Sequence, residues 1–173
     1  DDYPPKTAKG LDQYVSALII QGRKAEAQSI IRKWWGDINL SRDEQREMYR
    51  KYGRMIDREA HTRRLDTLLF SNQYSNARGI AEVLGGGFPA LTEARIALAS
   101  QSANANTLLK QVPANLQNDP GLLYERLHWR RENKLNNGAI EILNRAPSSE
   151  RIQNQKDWWR VRHIIIRRLI EER

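Results

Sequence analysis

Apolar residues recur along the first part of the chain at three- and four-residue intervals. Leu11, Tyr14, Val15, Leu18 and Ile19 form one stripe, and Ala27, Ile30, Ile31 and Trp34 form a second. That period belongs to amphipathic helices with one face turned to a core. Gly22, between the stripes, suits a helix C-terminus and a tight reversal. The same pattern predicts further helices over about 41–54, 57–71, 74–84, 88–100, 104–111, 119–133, 136–145 and 156–172. After Pro4 and Pro5 no proline occurs until Pro89, and the residues between are rich in Ala, Leu, Gln, Glu, Lys and Arg. Those are good helix formers, whereas proline inside a helix costs about 3 kcal/mol. Two helix starts carry capping chemistry: Ser41 precedes Glu44 by three residues, a capping box, and Asp119 precedes Pro120 at the first helical position. No segment alternates with period two, so the fold class predicted is all-α.

Helices this short are marginal alone and must bury their stripes against neighbours. Residues 18–31 (LIIQGRKAEAQSII) and 68–81 (LLFSNQYSNARGIA) share an apolar helix end, a Gly or Asn turn, then x-x-x-Ala-x-x-Ile. Residues 130–143 (RRENKLNNGAIEIL) repeat the second half, with Ala139 and Ile142 in the places of Ala77 and Ile80. Small residues at recurrent positions let antiparallel helices approach closely, as in solenoids. The architecture expected is one helical segment over residues 1–173, a right-handed α-superhelix or solenoid of short antiparallel, tetratricopeptide-like helix pairs; an ordinary helical bundle is the alternative. The last helix reaches Arg173 with Leu169 and Ile170 still apolar and no Gly or Pro stop. Solenoids normally close with a polar cap, so further repeats are expected in a larger, multidomain protein.

Composition narrows the chemistry. The 173 residues carry 29 Lys plus Arg against 21 Asp plus Glu, a formal net charge of +8, and no cysteine. The missing thiols exclude a disulfide framework, a thiolate zinc site and a cysteine nucleophile. No apolar run approaches the ~20 residues that span a bilayer, so no transmembrane segment is expected. The Asp-Asp-Tyr-Pro-Pro start lacks the basic and apolar regions of a signal peptide. His61, His128 and His163 are far apart and form no ligand pair, and no metal or other cofactor is expected. No serine lies in a G-x-S-x-G context. Gly85-Gly86-Gly87 follows no strand and precedes no Gly-Lys-Ser/Thr, so it reads as a link between helices rather than a phosphate loop. Glu125, in Leu-Tyr-Glu-Arg-Leu, is the one carboxylate densely flanked by apolar residues, the setting of a raised-pKa acid; with Arg126 and His128 beside it, it is assigned a structural role.

The basic excess is the stronger signal. Arg126, Arg130, Arg131 and Lys134 cluster on one predicted helix, and Arg160, Arg162, Arg167 and Arg168 on the last, interleaved with Trp129, Trp158 and Trp159. Charge and ring stacking together grip anionic polymers, nucleic acid and the glycan-peptide mesh of a bacterial wall among them. Trp34-Trp35 and Trp158-Trp159 each turn one ring inward and the other about 100° around the helix.

The runs ARIAL (94–98), LQNDPGLLYERLHWRRENKLNNGAIEIL (116–143) and DWWRVRHIIIRRLIEE (157–172) resemble the helical superhelix of the soluble lytic murein transglycosylases. So does 33–78, through Leu40, Glu44, His61, Arg64-Leu65-Asp66 and Tyr74-x-x-Ala77-Arg78. The resemblance covers most of the chain and rests on structural motifs. It implies a periplasmic enzyme that cuts the β-1,4 bond between N-acetylmuramic acid and N-acetylglucosamine to leave a 1,6-anhydro end. In that family a glutamate of a C-terminal lysozyme-like domain acts as acid and then base, in a Glu-Ser dipeptide with Gly-Leu-Met-Gln downstream. Neither motif occurs here, so no catalytic residue is carried over. The resemblance implies a non-catalytic, ring-forming helical domain that shapes or guides glycan strands beside its own catalytic domain. Arg126, Trp129, Arg130, Arg131, Trp159 and Arg160 are its candidate glycan-contact surface, and nucleic acid is not an expected partner. A helical-repeat adaptor for a protein, or a basic RNA-binding module supported by charge alone, are the competing readings.

Overall fold

The computed structural model describes residues 7–135, 137–148 and 152–171; the Asp-Asp-Tyr-Pro-Pro start, Asn136 and the Arg173 end lie outside them. Among the described residues the chain is all-α, with ten α-helices, two short 3-10 turns and no strand. It divides into two compact units, residues 1–85 and 86–173. The triglycine predicted to link helices is where the first unit ends and the second begins.

The first unit holds α1 (Ala8–Ile20), α2 (Lys24–Trp35), α3 (Arg42–Tyr52), α4 (Arg58–Phe70) and α5 (Tyr74–Leu84). α1 pairs with α2 and α4 with α5, while α2 also packs on α4, and α3 on both α1 and α5. The second unit holds α6 (Phe88–Ala99), α7 (Ala105–Gln111), α8 (Pro120–Glu132), α9 (Asn137–Asn144) and α10 (Gln155–Glu171). Here α6 packs on α7 and α8, and α8 on α9 and α10. The helices start where the capping chemistry lies. Ser41 N–H donates to Glu44 Oε2 at 2.8 Å while Glu44 N–H donates to Ser41 Oγ, completing the capping box. Asp119 accepts from Leu122 N–H at 2.8 Å. Thr7 and Asp57 cap α1 and α4 in the same way. The 41–54 helix is shorter than expected, because at Gly53 the α-helical ladder gives way to a 3-10 turn over Gly53–Met55.

One turn joins the helix pairs. A residue with positive φ follows the helix, its N–H donates to the carbonyl three residues back and the next N–H to the carbonyl five residues back, the Schellman motif. Gly22, Asn72, Gln101 and Lys134 are the left-handed residues, with φ of 76°, 58°, 54° and 57°. Arg23 N–H bonds Leu18 O, Gln73 N–H bonds Leu68 O, Ser102 N–H bonds Ala97 O and Leu135 N–H bonds Arg130 O. Ala27, Ala77 and Ala139, the recurrent alanines, are all buried, so the repeated unit is a helical hairpin closed by this turn. The α6–α7 hairpin belongs to the series although its sequence did not announce it.

Two details depart from the predicted stripes. Tyr14 is exposed, and Trp35 rather than Trp34 is the fully buried indole of α2. The inward row of that helix is Ala27, Ile31 and Trp35, a strict i, i+4, i+8 line that leaves Ile30 and Trp34 at its edge.

Candidate functional site

The candidate surface residues Arg126, Trp129, Arg130 and Arg131 all lie on α8, which the Asp119 cap and Pro120 start and whose inward face is Leu122, Leu123 and Leu127. The arginines are half-buried, with Arg126 and Arg130 on the side of α9. Burial lowers the pKa of Arg126, and the nearby guanidiniums of Arg130 and Arg145 lower it further, with Glu141 alone opposing them. Three guanidiniums and one carboxylate leave an excess of positive charge, the electrostatic requirement for an anion site. Arg130 lies across Gly138, where any Cβ would collide with its guanidinium. Arg131 is committed inside the unit: it bonds Glu132, approaches His128 Nε2 at 3.1 Å and, through its carbonyl, accepts from Arg168 Nη1 at 3.0 Å. Trp159 and Arg160 belong to α10, where the Trp159 indole stacks on His163 with centroids 5.0 Å apart and planes within 8°. Arg160 sits 3.9 Å from Asp157. Trp158, its neighbour, is buried against Leu123 and Ile142, so this pair divides inward and outward as its spacing predicts. Arg145 is the member that sequence reasoning missed; its only local signal is Glu141 four residues earlier.

Glu125 turns into the unit and is 6% exposed. Burial raises its pKa to about 7, against the pull of Arg95. Arg95 is itself 1% exposed, lies 3.6 Å from Asp119 Oδ1 and rests on Gly121, which has no room for a Cβ. The carboxyl is buried with Leu122, Leu123 and Leu127 on the inward side of α8. The same burial pushes the neighbouring Tyr124 hydroxyl up to about 12.

The first unit carries a second buried cation. Arg64 Nε donates to Gln45 Oε1 at 2.8 Å and Nη1 to the carbonyls of Trp35 and Ile38 at 2.7 and 3.1 Å, while its guanidinium lies 4.6 Å from the Trp35 ring centroid. Burial lowers its pKa to about 10. Trp35 Nε1 donates to His61 Nδ1 at 3.2 Å, and burial holds that imidazole below its usual pKa. Arg64 closes the carbonyl end of α2 through Nη1, while its Nη2 is buried without a hydrogen-bond partner. A cleft of about 250 Å³ lies between α1 and α3, lined by Ala8, Lys9, Asp12, Glu44, Glu47, Met48 and Lys51. Burial alone would raise the Asp12 pKa, but hydrogen bonds from Lys51 at 2.5 Å and Tyr52 at 2.6 Å outweigh it and hold the carboxyl below its usual range.

Among the described residues no three His, Cys, Asp or Glu side chains converge on a metal position, and no helix is long and apolar enough to cross a membrane. Compared with known proteins, the chain matches no family model, no curated protein and no solved structure.

Proposed function

We propose that this chain is a non-catalytic α-superhelical domain of a periplasmic peptidoglycan lytic transglycosylase, and that it shapes or guides the access of glycan strands to a catalytic domain in the same polypeptide. The observation that carries the reading is where the resembling runs fall. Within ARIAL all of Ala94, Arg95, Ile96, Ala97 and Leu98 are buried; within the long run Leu122, Leu123, Glu125, Leu127, Ala139 and Ile142 are; within the last, Trp158, Val161 and Ile165. Arg64 and Leu65 hold the same place in the first unit. Core-forming residues are the ones a shared fold constrains, so the buried part of each run is what speaks for common architecture. Helical hairpins with a common turn are also the units from which an α-superhelix is assembled.

Contact with the wall falls to the α8–α9 surface in this account. Peptidoglycan carries carboxylates on its stem peptides, and Arg126, Arg130 and Arg145 present the matching charge. The chain is expected to co-sediment with purified sacculi at about 0.15 M salt, where screening acts over about 8 Å. Arg126→Ala with Arg145→Ala should cut the bound fraction several-fold without changing the helical circular dichroism. Equal sedimentation of the double variant would remove this surface from the account, and displacement of the chain by RNA in place of wall fragments would favour the nucleic-acid reading.

A further inference from the structure

α10 carries two apolar stripes, and the wall-strand reading touches the outer one only at Trp159. Trp158, Val161 and Ile165 are buried in the core with Leu123, Leu127, Ala139 and Ile142. The second stripe, Trp159, His163, Ile166 and Ile170, lies roughly 140° around the helix at 100° per residue. It stands in solvent, with Trp159 67%, Ile166 40% and Ile170 68% exposed. Its members are spaced four, three and four residues apart, the a/d seam of a helix that pairs with another helix. The stacked indole and imidazole make one flat surface at its start. On the heptad this seam defines, Arg160 and Arg167 fall at e and Arg162 at g, and all three are exposed. Of the helix's carboxylates, Asp157 comes within 3.9 Å of Arg160 and Glu171 lies further round.

We propose that this outward face of α10 docks an amphipathic helix whose apolar stripe is bordered by aspartate and glutamate. Seam spacing calls for a helix, and flanking charges choose the partner: e and g cations pair with carboxylates and repel other cations. A second copy of this chain is disfavoured for the same reason, because either orientation of an α10–α10 pair sets Arg160, Arg162 and Arg167 against their own kind. A sugar ring could cover Trp159 but would leave Ile166 and Ile170, two and three turns further on, in water. The inference goes beyond the wall-strand reading and does not depend on it.

The test uses the whole chain and two fluorescein-labelled three-heptad peptides with one apolar stripe, flanked by Glu in one and by Lys in its twin. Anisotropy titration at about 0.15 M salt should show the Glu-flanked peptide binding about tenfold or more tightly than the twin. Ile166→Asp should abolish that binding, and Arg160→Glu with Arg167→Glu should reverse the preference. The reversal is a gain of binding to the Lys-flanked twin, so it also reports that the variant is folded. The same two-charge reversal at Arg42 and Arg46 on α3 should leave the preference as it was, which excludes mere attraction to a cationic protein. Equal affinity for both peptides, no binding of either, or indifference to Ile166→Asp would each overturn the proposal. So would self-association in sedimentation equilibrium that Ile166→Asp removes, which would make a second copy the occupant. Displacement of the bound peptide by N-acetylglucosamine oligomers that quench Trp159 would give the face to glycan instead.

Discussion

Single residues in this chain act through the backbone or the charge they are forced to accept. Lys134 adopts φ of 57° to close the α8–α9 turn, a region in which a side chain costs roughly 1–2 kcal/mol and glycine nothing. Gly22 fills the equivalent place without strain. Lys134→Gly should therefore stabilise the chain, the relief being partly offset by the greater freedom of glycine when unfolded, for a net gain of about 0.5–1 kcal/mol in urea denaturation. Glu125 gives the opposite kind of evidence. Its folded pKa, about 7, exceeds that of an unfolded glutamate, so the folded state holds its proton more tightly. Its contribution is fully present below the unfolded value near 4.3 and is lost as pH rises through about 7. Between pH 5 and 8 the wild type should lose on the order of 2 kcal/mol relative to Glu125→Gln. Urea midpoints of the two proteins at both pH values check this, and parallel pH dependences would show that the carboxyl is not enclosed in solution. Its apolar flanks were readable in Leu-Tyr-Glu-Arg-Leu, but its facing cation Arg95, thirty residues away on α6, was not.

At the scale of elements, what is local was legible. The Ser41–Glu44 box, the Asp119 cap and the Gly22 turn each depend on residues within one helical turn of one another, and each stands where the pattern put it. Errors arise where direction is set by tertiary contact. In α2 the sequence alone allows Trp34 or Trp35 to face inward, and only the packing of α2 on α1 and α4 selects Trp35. The charged site divides in the same way. Arg126 and Arg130 are one turn apart on α8 and visible as a cluster, whereas Arg145 joins them only because the Lys134 turn folds α9 back along α8. The two stripes of α10 show the element still offering a surface. If the peptide titration follows the charge of the flanks, this helix is a docking helix on one side and a core helix on the other.

Over the whole molecule, the chain is all-α and built of repeated hairpins, with enclosed arginines in both units and an arginine cluster on one surface, and the proposed scaffold for an anionic polymer rests on that cluster. Fold class was legible because the absence of alternating segments and the long proline-free stretch are properties of the entire sequence. The division into two units was not, because it depends on which hairpins share a core. The central claim is that this scaffold belongs to a wall-cleaving enzyme, and the most direct measurement is an immunoblot of fractionated native cells with an antibody raised against the chain. The account predicts a periplasmic band several times larger than 20.1 kDa, carrying the catalytic domain with it. A cytoplasmic band at the size of the chain itself would contradict it.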